Sequence, residues 1–179
     1  MKKKKIIMII TIFSVFTIAT FSIGFAAGHY RFSCDLYENK VGPKPSETEA
    51  SGTILFHFDE LKQELIYQLR VEKIQDVYMA HIHMGASNKE GLMAAWLYPP
   101  RQYNSAKRTI EGEFNGTLAE GAIRQGDLEN GLLLEDLIES LRNGNAYVNI
   151  HTKKYIMGEL RGQVETDQYV GLRDEDPGC

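Results

Sequence analysis

Ala80-His81-Ile82-His83-Met84-Gly85, taken with Val148-Asn149-Ile150-His151-Thr152 further along the chain, decides how the fold is to be read. Both segments have the composition of strands, and three of the five histidines lie in them. Period-two alternation puts His81 and His83 on one face, about 7 Å apart along the strand. Two imidazoles at that spacing, with a third on a neighbouring strand, form a set that can hold a metal ion. The same set can be a hydrogen-bonded polar patch, because neutral imidazole both donates and accepts. Val148 and Ile150 alternate against His151, whereas His81 and His83 fall in phase with Val77 and Met79. That phase puts the histidines at the sheet's end or flank, where apolar lining gives way to solvent.

Outward from this pair, short alternating segments recur. They are an edge strand at 30–36, then 53–58, 65–71 and 77–84, a nearly continuous apolar run at 92–98 buried on both sides, and 109–118 with Ile110 and Phe114 inward. Pro99-Pro100 ends the apolar run, since proline cannot donate to a ladder. The period then changes: Leu133, Leu134, Leu137, Ile138 and Leu141 fall at helical spacing, and Gly144 is placed to stop the helix. Alternation returns at 146–152 and 156–164. The pattern predicts an all-β fold, an antiparallel Greek-key β-sandwich of superoxide dismutase-like or immunoglobulin-like type, with one short helix before the last two strands.

With 179 residues the chain has room for one domain and extensions. Its net charge is −4, although Lys2 to Lys5 concentrate positive charge at the N-terminus. Nucleic acid is therefore excluded as a partner, because binding it needs a basic face. Residues 1–27 combine those lysines with an uncharged apolar run ending in Gly24-Phe25-Ala26-Ala27, the pattern of a signal peptide or an N-terminal membrane anchor. Either way, residues 28–165 are expected outside the cytoplasm, secreted or held on the outer face of the membrane by that segment alone, with residues 166–179 as an acidic tail. Cys34 and Cys179 have no zinc-ribbon spacing. In an oxidising compartment they are candidates for a disulfide, the alternative being two free thiols.

No Gly-x-Ser-x-Gly, glycine-rich phosphate loop or cysteine beside a histidine marks a nucleophile or nucleotide site. Asn149, Glu159 and Arg161 are candidates for supporting the histidines, Glu159 by fixing a tautomer. For Glu159 and Arg161 the plainer reading is an inter-strand ion pair. Trp96, the single tryptophan, reads as core packing. His57 and His29 are set apart from the histidine set.

The order of several short markers resembles a chordin-type (CHRD) domain from about residue 36 to 164. They are Ala50-Ser51-Gly52, Ala80-His81-Ile82-His83-x-Gly85, the leucine-rich helix ending in Arg142-Asn143-Gly144, and Ala146-Tyr147-Val148-Asn149-Ile150-His151-Thr152 followed by Gly158-Glu159-Leu160-Arg161-Gly162-Gln163. Lys40-Val41-Gly42-Pro43 departs from the Glu-Val-Pro-Pro usual in that family. The resemblance implies an extracellular all-β module without established catalysis, binding a protein or a surface glycan. A fainter resemblance to copper/zinc superoxide dismutases would make His81, His83 and His151 copper ligands, with Arg161 attracting an anion. That comparison lacks a bridging histidine, since none lies between His83 and His151. Copper or zinc is the cofactor such a site would take.

Overall fold

The structure, a computed structural model, describes residues 29–41, 45–100 and 108–170. Its strands are β1 (His29–Glu38), β2 (Ser51–Asp59), β3 (Glu64–Met84), β4 (Leu92–Tyr98), β5 (Ile110–Ile123), β6 (Ala146–Thr152), β7 (Leu160–Gln163) and β8 (Glu165–Val170). One helix, α1 (Leu134–Arg142), precedes β6. Every ladder between these strands is antiparallel. β1 pairs β2, β2 pairs β3, β3 pairs β6, β6 pairs β7 and β7 returns to β1, so the pairings close a ring. The result is a nearly all-antiparallel, sandwich- or barrel-like β fold, as the alternating pattern predicts.

The long strand β3 organises the ring. Residues 64–72 pair β2, while residues 77–84 pair β6. Its two halves look like separate strands in sequence because Glu72-Lys73 and Gln75-Asp76 interrupt the apolar alternation. Lys73 and Asp76 adopt φ of +54° and +51°, and the register to β5 slips around them. These bulges bend one continuous strand through the middle of the domain. Neighbouring side chains stabilise the bend: Asn115 Oδ1 accepts from the Lys73 amide and Asp76 Oδ1 accepts from the Gly112 amide.

Leu134, Leu137, Ile138 and Leu141 bury one stripe of α1. Asp136 accepts from the Leu133 amide at the start, Arg142 lies in the last turn, and Gly144 at φ +62° leaves the helix in the left-handed region.

Several sequence expectations are revised. The segment at 30–36 is interior rather than an edge, since β2 lies on one side of it and β8 on the other. β4 is not buried on both sides: Ala94, Ala95 and Leu97 are buried, but Leu92 is exposed. Only Leu160–Gln163 of the expected 156–164 strand is paired as a strand, because the chain first turns back over His151 of β6. The expected acidic tail begins with a strand, β8, whose ladder to β1 extends the sheet. Cys34 is buried with no disulfide partner among the described residues; Cys179, its candidate partner, lies outside them, as do residues 1–27. Among the described residues no helix is long and apolar enough to cross a membrane.

Candidate metal centre

The register between β3 and β6 assembles the site. His81 lies opposite Asn149, His83 opposite Tyr147 and Met79 opposite His151. Directly opposed residues share a sheet face, so these six side chains form one layer. Ala80 and Ile82 face the core with Val148 and Ile150, all fully buried. The sequence phase that tied the histidines to Val77 is broken by a register slip between Val77 and Met79. Val77 therefore enters the core, and the histidines occupy a sheet face rather than the sheet's end.

Two loops cover this layer, which is why its polar rings are buried. Residues 85–91 form the first. His83 Nδ1 is 3.1 Å from the Gly91 carbonyl, and the Gly91 amide donates to the Tyr147 hydroxyl at 2.9 Å. The second is the turn before β7, where His151 Nδ1 is 2.9 Å from the Ile156 carbonyl. A carbonyl can only accept, so both Nδ1 atoms carry the proton and both Nε2 atoms carry a lone pair. Asn149 Nδ2 donates to the Met157 carbonyl and lies 3.2 Å from His151 Nε2.

One ring nitrogen from each of His81, His83 and His151 lies within 4.8 Å of those of the other two. Nitrogens sharing a tetrahedral ion at about 2.1 Å would be about 3.4 Å apart, so the three rings would have to draw closer to share one. His81 Nε2 and His83 Nε2 are buried without a hydrogen-bond partner, an arrangement that is costly in a purely structural patch. Burial holds all three imidazoles below their ordinary pKa, His81 down to about 3; neighbouring histidines add repulsion at His81 and His151, and the Arg161 charge adds it at His83 and His151. They are therefore neutral at pH 7, the form that ligates metals. These features fit a transition-metal ion.

The expected supporting residues divide. Asn149 touches His151, as described. Arg161, paired in register with Asn149, packs 4.6 Å over the Tyr147 ring and donates to the Ser87 and Lys89 carbonyls and to Glu90. It secures the loop that holds His83. Glu159 does not orient a histidine: its carboxylate accepts from the Thr48 and Thr152 hydroxyls, both at 2.6 Å. Gln163 binds the first loop from below, accepting from the Ser87 amide and donating to the Gly85 carbonyl.

Sequence reasoning missed three aromatic neighbours, of which Tyr78 stands edge-on to His151 with ring centroids 6.2 Å apart. Trp96 stands edge-on to His81, ring centroids 4.3 Å apart, and Tyr147 stacks on His83 at 4.9 Å. Trp96 reaches this face because bulges in the β3–β4 ladder shift its register, and nothing in the local alternation signals that. His57 does not belong to the cluster, and the His29 side chain lies outside what the structure describes.

Fold and site together define a small all-β module whose distinctive chemistry is a covered histidine layer. Residues 32–164 match the CHRD domain family, and the chain belongs to that family. No curated protein and no solved structure matches it. CHRD domains are typically extracellular modules, and the match supports a non-catalytic role in coarse terms.

Proposed function

We propose that this chain is an exported CHRD module that binds a transition-metal ion, copper or zinc, through His81, His83 and His151, with no catalytic step of its own. The observation that carries the reading is the pair of buried, unpartnered Nε2 atoms of His81 and His83, on imidazoles that burial keeps neutral. Export is supported by the lysines and apolar run of residues 1–27. Among the described residues no second group of three metal-ligating side chains stands beside this one.

The test is elemental analysis of residues 28–179, purified without a metal-binding tag and incubated with copper and zinc. His151→Gln and His81→Ala/His83→Ala run beside it, with circular dichroism as a check on folding. Near-stoichiometric metal that is lost in folded variants supports the reading. A wild-type chain that takes up neither ion overturns it.

A second reading, a docking module for a protein or surface glycan, has its own observation. A groove of about 930 Å³ runs over β1, β2, β3 and β5, lined by Arg31, Leu55, His57, Ile66, Glu120 and Asp167 among others, and by none of the three site histidines. Binding to a glycan array that survives loss of the histidines, and is lost with Ile66→Lys, would favour it.

A further inference from the structure

The histidine layer supplies no negative charge. His83 and His151 donate their Nδ1 protons to the backbone carbonyls of Gly91 and Ile156, where many metal-bound histidines have a carboxylate. The nearest buried carboxylate on β7's approach, Glu159, is taken by two threonine hydroxyls. The charge built into the layer is positive. The Arg161 side chain is only 3% exposed and packs on Tyr147, which stacks on His83. Its partner Glu90 is 60% exposed, so water screens part of the opposing charge, and Arg161 remains the larger influence on His83 and His151.

A divalent ion bound by three neutral imidazoles keeps its full double charge under the two covering loops. The cost of burying an ion grows with the square of its charge, so a monovalent ion pays about a quarter as much. The flanking residues point the same way. Met79 is directly opposite His151, and Met93 is directly opposite His83. Opposed residues on one sheet face have Cβ atoms about 5 Å apart, within reach for a thioether. Both methionines are half-buried in the histidine layer. Thioethers are soft ligands that favour monovalent copper over zinc.

We infer that the site selects copper in its monovalent state over zinc, with Met79 and Met93 providing thioether sulfur beside the three imidazoles. This rests on the metal-binding reading above.

Trp96 provides the reporter, being the single tryptophan and lying 4.3 Å from the His81 ring. Metal-free residues 28–179 would be titrated with copper under ascorbate against the chelator bicinchoninate, and separately with zinc against a zinc-responsive dye, following Trp96 fluorescence in both. The expected result is one monovalent copper per chain, bound about 100-fold more tightly than zinc and quenching Trp96. Met79→Leu/Met93→Leu, a volume-conserving change, should weaken copper binding about tenfold and leave zinc binding unchanged. Zinc bound as tightly as copper, or copper binding indifferent to the methionine pair, overturns the inference while leaving metal binding in place. Failure to bind either ion removes the underlying reading as well.

Discussion

Tyr147 lies parallel to His83, with 8° between the ring planes and 4.9 Å between centroids, while its hydroxyl accepts from the Gly91 amide at 2.9 Å. One fully buried side chain thus fixes both the imidazole and the loop whose Gly91 carbonyl accepts from that imidazole. Arg161 packs on the same tyrosine ring and holds the loop from a second side. The ligand and its cover are therefore positioned together.

Replacing this residue should separate the two contributions. Tyr147→Phe keeps the stack and loses one hydrogen bond, at a cost of about 1 kcal/mol. Tyr147→Leu loses the stack and leaves space beside His83, at a cost of about 3 kcal/mol. Urea denaturation of both variants measures the difference. Equal losses would show that the ring contact contributes nothing beyond the hydroxyl.

Gly158 sits at φ +115°, and a Cβ added there would stand 2.1 Å from Asn149 Oδ1. Gly158→Ala should therefore displace the amide that lies against His151 Nε2, and cost about 3 kcal/mol from backbone strain and the clash together. Gly116 is the control, with a similar φ of +129° and nothing within 4 Å of the added atom. Gly116→Ala should cost only the conformational part, about 1 kcal/mol. Chemical shifts of the His151 ring should move in the first variant and stay fixed in the second.

What could be read from the chain divides along a physical line. Period-two alternation and the leucine spacing in α1 depend on near neighbours, so most of the strands, the helix and the shared face of His81 and His83 are legible. Register depends on which distant residues meet, and it is not. The slip between Val77 and Met79 moves Val77 into the core, and the β4 bulges carry Trp96 to His81. The partners of Glu159 are hidden for the same reason: Thr48, on a loop distant in sequence, and Thr152 both donate to its carboxylate. The turn over His151 looks like a strand in sequence because Ile156 resembles the start of an alternating run.

Cys34 should be unreactive in the native protein. It is 3% exposed and packed so tightly on β7 that a Cβ on Gly162 would meet its sulfur at 2.4 Å. Burial, with Asp35 and Glu165 adding to it, pushes the thiol pKa up to about 12, so almost no thiolate exists at pH 8. A Cys179→Ser variant treated with Ellman's reagent should release no chromophore until denaturant is added. Rapid native labelling would show that β1 and β7 separate readily.

The metal-free protein should lose stability as pH falls below neutrality. Burial lowers the pKa of His81 to about 3 and lowers those of His83 and His151 as well. The unfolded chain holds each at about 6.5, so below that pH the unfolded state binds more protons than the folded one. Stability contributed by the neutral imidazoles is fully present above about pH 6.5 and declines as pH falls toward the folded values, each histidine costing about 1.4 kcal/mol per pH unit while it stays neutral in the fold. Carboxylates titrate mainly below about pH 4.5, which leaves pH 7 to 5 as the window in which the histidines dominate. Urea denaturation across that window should show a falling midpoint in wild type and a shallower fall in His81→Gln, since glutamine carries no proton to gain. Bound metal should steepen the wild-type profile, because protons and metal compete for the same lone pairs. A metal-free midpoint that is flat from pH 7 to 5 would mean that the imidazoles can take up protons within the fold, and so are not held neutral by their cover.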